Sequence, residues 1–219
     1  MNKRLAPLLA IPLLLAACGS AKTVTRTVTV SNAASPVAAP PQGQLATLAG
    51  VAQRIYVEES KGTVDQSPLR AVEADRPLMS AALAGNAAGA TAGATRVMNA
   101  ASHITGIELV RNGRTLADVH LPFVVGGKLK QLRGAPGIQG AISIQDILGY
   151  VSLVHRVTGT DVVVRGSGGH ALSSLQAATH AKLPSSGRVD VAGRTYQVLS
   201  FHEPGWAGER LTIWLLQPA

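Results

Sequence analysis

The chain of 219 residues has one cysteine, two tryptophans, two phenylalanines and three tyrosines. A single thiol excludes an internal disulfide and a thiolate-rich metal site, so the folded part must be held by packing alone. Aromatic residues are 3% of the chain against a hydrophobic fraction of 46%, and the apolar content is rich in alanine. It therefore overstates the core volume per residue. Few rings are present to stack on bases, and no basic run is denser than Lys128-Leu129-Lys130-Gln131-Leu132-Arg133. Nucleic acid is excluded as an expected partner on both grounds. The apolar run behind Lys3 and Arg4, about eleven mostly apolar residues, is too short to cross a bilayer and has the flanks of a secretory signal.

That run closes on Leu15-Ala16-Ala17-Cys18-Gly19, which resembles a bacterial lipobox. The resemblance implies cleavage before Cys18, a diacylglycerol on its thiol, and an amino terminus open to further acylation. The reading is a signal peptide over residues 1–17 and attachment to the extracytoplasmic face of the cell membrane through Cys18. An ordinary secretory signal with a stray cysteine is the plainer alternative. Loss of Lys3 and Arg4 with the signal leaves 18 basic against 12 acidic residues, so the charge of +8 becomes +6. Weak attraction to anionic lipid or wall polymer fits that excess. Residues 18–43 are rich in Thr, Val, Ser, Ala and Pro. Thr23 to Val30 alternate as a strand would, yet Pro36, Pro40 and Pro41 follow and cannot enter a sheet interior. They read as a flexible tether, with an edge strand as the alternative.

The folded body is read over residues 44–219. Leu45, Leu48, Ala52, Ile55, Tyr56 and Glu59 recur at helical spacing up to a stop at Gly62. Ser67-Pro68 and Asp75-Arg76-Pro77 supply two further helix starts. Gly85 to Gly93 is so rich in Ala and Gly that its helix is weak; tight helix packing and a mobile connector both explain it. The period then changes to two. Ile107 to Arg111 and Arg114 to Val119 flank Asn112-Gly113, which predicts a hairpin over 105–119 because both central residues of that turn take positive φ. Ile142 and Ile144 alternate with Ala141, Ser143 and Gln145. Asp146 caps a predicted helix over 147–157 that stops at Gly159. Strands are expected over 161–165, 188–191, 194–201 and 210–216, with a possible helix at 171–178. Helices followed by hairpin-linked strands argue for an α+β fold, with the 147–157 helix between two strands of one sheet.

The segment from Gly140 through Asp146, Gly149, Tyr150 and Arg156 to Gly159, followed by the strand from Asp161, resembles extracellular PAS-like sensor domains of the Cache or PDC kind. Leu116-Ala117-Asp118-Val119 and the terminal strand pair fit the same pattern. The resemblance spans about residues 44–218. It implies a central antiparallel sheet with a long N-terminal helix across one face, and a small-ligand pocket on the other face under the connecting loops. Family members commonly carry a second membrane helix after the sensor, and this chain shows none. A bound state would then be presented to a separate membrane or envelope protein. The family's amino-acid-binding cluster of Tyr, Arg and Trp is also missing, so no ligand class is carried over.

Catalysis is not expected. His103, His120, His155, His170, His180 and His202 show no i,i+4 pairing, and Pro204 directly after His202-Glu203 breaks the helix a zinc hydrolase needs. Gly166-Ser167-Gly168-Gly169 lacks the third glycine of a dinucleotide loop and the Lys-Ser/Thr of a P-loop, and reads as a turn. No Gly-x-Ser-x-Gly elbow occurs, and no cofactor or metal is expected. Five residues are the expected ligand contacts. Ser143 offers a hydroxyl on the free sheet face, and Tyr150 and Tyr196 offer rings with polar tips. His202 and Trp206 offer a loop able to close over a small molecule. Each has a structural alternative: Tyr150 lies on an apolar helix stripe, and Trp206 can simply wedge its Gly-Pro loop. Asp146 is foremost a helix cap, and Arg133 and Arg156 are foremost exposed cations. The functional expectation is a lipid-anchored small-molecule sensor; the alternative is a docking or structural envelope lipoprotein with no ligand.

Overall fold

The computed structural model describes residues 42–61 and 67–219. The signal peptide, Cys18, all but the end of the tether and the stop at Gly62 lie outside the described residues. Helix α1 (Gln42–Lys61) leads into α2 (Ser67–Ala74), α3 (Arg76–Leu83) and α4 (Ala87–Ala100). Strands β1 (Gly106–Arg111), β2 (Arg114–His120), β3 (Lys130–Gln131) and β4 (Ile138–Ser143) follow, then α5 (Ile147–Thr158). The chain closes with β5 (Asp161–Gly166), β6 (Ala171–Ser173), β7 (Ser186–Val191), β8 (Arg194–Pro204) and β9 (Arg210–Pro218).

This is an α+β architecture, but its strands form two antiparallel sheets rather than one. The first has the order β2-β1-β4-β3 and the second β6-β5-β9-β8-β7. The helix over 147–158 forms where the sequence places it. Asp146 accepts from the Gly149 N–H and Gly159 closes it at φ 68°. It joins the two sheets instead of lying between strands of the same one. The physical reason is edge occupancy: β4 is already paired by β1 and β3, and β5 pairs with β9 and β6. Residues 171–173 are a strand and 176–178 a single 3₁₀ turn, where the sequence suggests a helix.

The hairpin of β1 and β2 turns at Asn112 and Gly113, with φ of 50° and 77°. Nothing lies within 4 Å of where a Cβ on Gly113 would stand, so a substitution there meets backbone strain alone. Gly113→Val is expected to cost about 1–2 kcal/mol in urea unfolding, and an unchanged midpoint would contradict the turn assignment.

Helices α2 to α4 cover one face of the first sheet. Leu78, Ala82, Ala90, Ala94 and Val97 pack on Ile107, Leu109, Leu116 and Ile138, with Ile142 against the same cluster. The Ala/Gly run is thus a packing surface: a Cβ on Gly93 would stand 2.8 Å from the Leu78 Cβ. These short helices, and not α1, take the Ile142 side. Asp75 caps α3, accepting from the Leu78 N–H at 2.9 Å, and pairs with Arg96 of α4 at 2.6 Å. The Arg96 hydrogen bond holds the Asp75 carboxyl below the ordinary carboxylate range. A carboxyl depressed by folding stabilises above its unfolded pKa, near 3.9, and that stability is lost as pH falls through its lower folded value. Asp75→Ala is expected to cost about 0.5–2 kcal/mol at pH 7 through the lost cap. The penalty should shrink in melts taken toward pH 3.

The second sheet is covered on both faces. Leu45, Ala49, Ala52 and Tyr56 of α1, with Ile147, Tyr150, Val151 and Val154 of α5, pack over Val162, Val164, Leu211, Ile213 and Leu215. The helical stripe of the sequence is the buried side of α1. On the opposite face, Val163, Tyr196, Val198 and Leu216 pack beneath Ala178, with Leu175, Leu183 and Trp214 around them. Arg165 ties that cover down, donating to the carbonyls of Thr179, Ala178 and Ala181 with its guanidinium 5.0 Å from the Trp214 ring centre.

Candidate functional site

The two sheets meet at the segment 122–127 and the turn between β8 and β9. Val124 bridges to Asp146, and Val125 bridges to Gly205. Tyr56 of α1 fixes the junction from below: its hydroxyl donates to the Pro204 carbonyl at 2.7 Å and accepts from the Gly126 N–H at 3.1 Å. The Tyr150 ring meets it edge-on, centroids 5.3 Å apart, and the Tyr150 hydroxyl donates to the Ala52 carbonyl. Burial pushes both phenols well above their ordinary range. Gly126 must be glycine here, since a Cβ would stand 2.6 Å from the Pro204 oxygen.

From this junction Trp206 reaches across to the first sheet. Its ring lies over two glycines: a Cβ on Gly106 would stand 3.1 Å from Cη2, and one on Gly127 3.1 Å from Cζ3. Its Nε1–H donates to Asp118 Oδ1 at 2.8 Å, and it packs with Val124 and Ala141. Ala207 follows at φ 49°, a left-handed conformation that alanine resists. The turn closes through the Glu209 N–H to the Trp206 carbonyl at 2.9 Å.

Above Trp206 lies an open cleft of about 390 Å³, lined by Pro122 and Val124, His120, His170, Trp206 and Glu209, with the backbone of 167–168 and 207–208. Its size falls in the range of small-molecule sites. His120 has Nδ1 2.6 Å from the Leu121 carbonyl, so Nδ1 carries a proton, and Nε2 stands 3.9 Å from Asp118. The ring of His170 stacks on Phe123 at 5.4 Å, and its Nδ1 is 3.9 Å from Glu209 Oε1. Glu209 Oε1 accepts from the Gly168 N–H at 3.0 Å. A second hollow, about 310 Å³, lies beyond Gly208 and Glu209 and is lined by His202, Glu203, Pro204 and Arg210. Among the described residues no three His, Cys, Asp or Glu side chains stand close enough to hold a metal ion, and no helix is long and apolar enough to cross a membrane.

The chain matches no family model. Comparison with curated proteins and with solved structures likewise gives no significant match.

The structure does not bring the five expected contacts together. Ser143 and Tyr196 belong to different sheets. The Ser143 hydroxyl is buried and used on both sides, accepting from Thr105 Oγ1 and donating to the Gln145 carbonyl. Tyr150 is fully buried beside Tyr56, and Tyr196 is buried under the 175–183 segment. The two tyrosines are placed by apolar packing and Ser143 by its two hydrogen bonds. His202 lies inside β8 rather than in a loop, with Nδ1 3.1 Å from Thr212 Oγ1, and faces the second hollow. Trp206 alone of the five lines the larger cleft. Its other ionisable residues, His120, His170 and Glu209, come from three separate segments, and no motif in the sequence signals their meeting.

Proposed function

We propose that this chain is a lipid-anchored, extracytoplasmic binding protein of the Cache kind, whose small-molecule site is the cleft between the two sheets. The bound state would be read by a partner protein at the membrane or envelope. The observation that carries the reading is the cleft itself: two imidazoles and a carboxylate from three distant segments converge at a volume suited to a small ligand. The five-stranded sheet with α1 packed across one face supports a PAS-like fold. The expected pocket on the opposite face is filled by Tyr196, Ala178, Leu175 and Leu183, so the reading moves the site to the junction. That filled face is also what favours the second reading, a docking or structural envelope lipoprotein without a ligand.

A thermal-shift screen of the full-length chain against amino acids, organic acids, amines, nucleobases and sugars separates the two. A binder at free concentration 100-fold above its Kd raises stability by about 2.7 kcal/mol. Stabilisation lost on altering His170 supports the cleft, and a screen with no stabilising compound favours the docking protein. The anchor is tested separately. A lipid-bearing Cys18 supplies the paired acyl chains that stable membrane attachment needs. Cys18→Ala should leave the chain uncleaved or move it to the soluble fraction, and a processed mutant still partitioning with membranes would contradict lipidation.

A further inference from the structure

The geometry points to a small organic cation, an ammonium on an apolar or planar body, as what the cleft between the sheets takes, with Glu209 as its counter-ion. The inference rests on the proposal that this cleft binds a ligand, and it names the ligand's class. Glu209 is the only carboxylate among the residues lining the cleft, and no lysine or arginine lines it. Its Oε1 is held by the Gly168 N–H, and its Oε2 carries no hydrogen bond among the described residues. The side chain is 18% exposed: enough for contact, yet withdrawn from bulk screening. Around it stand Pro122, Val124 and the His170 ring stacked on Phe123, apolar and π surfaces that suit the body of an amine.

An anionic ligand would face Glu209 with no lysine or arginine to offset the repulsion. A further carboxylate, Asp118, lies behind His120 and Trp206, and Glu108 stands directly opposite it across the β1–β2 pair. Burial, and secondarily the charge of the facing Asp118, push the Glu108 carboxyl upward. The chain as a whole carries +8. The cleft is therefore an acidic spot on a basic protein, a charge pattern that draws cations and turns away acids.

The test uses three probes of related shape on the full-length chain in detergent, followed by isothermal titration: benzylamine, benzyl alcohol and benzoate. Benzylamine is expected to bind at least tenfold more tightly than benzyl alcohol, and benzoate not to bind. Glu209→Gln retains an acceptor for Gly168 and should reduce benzylamine to the level of the alcohol. Because Glu209 also braces the turn, His170→Lys is the second variant. That side chain is 51% exposed, and a cation placed there should weaken benzylamine by a similar factor. Benzoate or benzyl alcohol binding as well as benzylamine would overturn the cation assignment and leave the binding proposal standing. So would benzylamine binding unchanged in both variants. Binding by none of the three overturns the inference, whereas the binding proposal falls only if the wider screen is also empty.

Discussion

Trp206→Ala is expected to destabilise the folded body by about 3–5 kcal/mol, the range for removing a large buried ring. Trp206 is 5% exposed, and its ring sits on Gly106 and Gly127, where the absence of a Cβ leaves room for it. Its loss also strips the Asp118 carboxylate of its indole donor. That carboxylate already faces Glu108, so the repulsion within the pair is no longer offset. Trp206→Phe retains most of the packing and removes only the donor, and should cost about 1–2 kcal/mol through the lost charge-assisted bond. Urea unfolding of the two variants measures both terms. Equal and small effects would show that the ring is not what joins the turn to the first sheet.

Arg165→Ala is expected to cost about 2–4 kcal/mol, since hydrogen bonds to a charged donor are each worth more than neutral ones and three carbonyls lose theirs together. The guanidinium is half-buried, and burial lowers its pKa, so the site carries a desolvation cost that only the complete set of bonds offsets. Arg165→Lys should recover little, because an ammonium cannot span the carbonyls of Thr179, Ala178 and Ala181 from one planar fork. The effect should be local as well as global. Amide hydrogens from 175 to 183 are expected to exchange faster in the alanine variant, uncovering the face where Tyr196 is buried, while those of β1 and β4 stay protected. Unchanged exchange over 175–183 would show that apolar packing alone holds the segment.

Local signals in the sequence translate directly into structure. Asn112-Gly113, Asp75 before Arg76-Pro77, and Asp146 paired with Gly159 each act within a few residues, and each turn or cap forms as its chemistry requires. The helical stripe of Leu45, Ala52 and Tyr56 is legible for the same reason. The division into two sheets is not, because alternation says which side chains share a face but not which strand edge finds which partner. β3 has two residues and β6 three, too few to show a period. The scatter of the five expected contacts follows from that division. Ser143 and Tyr196 share a face only if β4 and β8 share a sheet, and they do not. Trp206 was legible as an aromatic in a Gly-Pro turn, but its destination was set by Gly106 and Gly127, exposed by sequence as mere glycines and meaningful only once the ring lies over them.

The central claim, that a small molecule occupies the cleft above Trp206, is tested most directly by the indole N–H resonance of Trp206 in the full-length chain. That proton is the donor to Asp118, and it reports on the floor of the cleft without a mutation. The resonance should shift progressively and saturably as a compound that stabilises the protein is titrated in, while the indole of Trp214, half-buried on the far face of the second sheet and donating to the Pro184 carbonyl, stays in place. A stabilising compound that moves the Trp214 signal and leaves that of Trp206 unchanged would contradict the account.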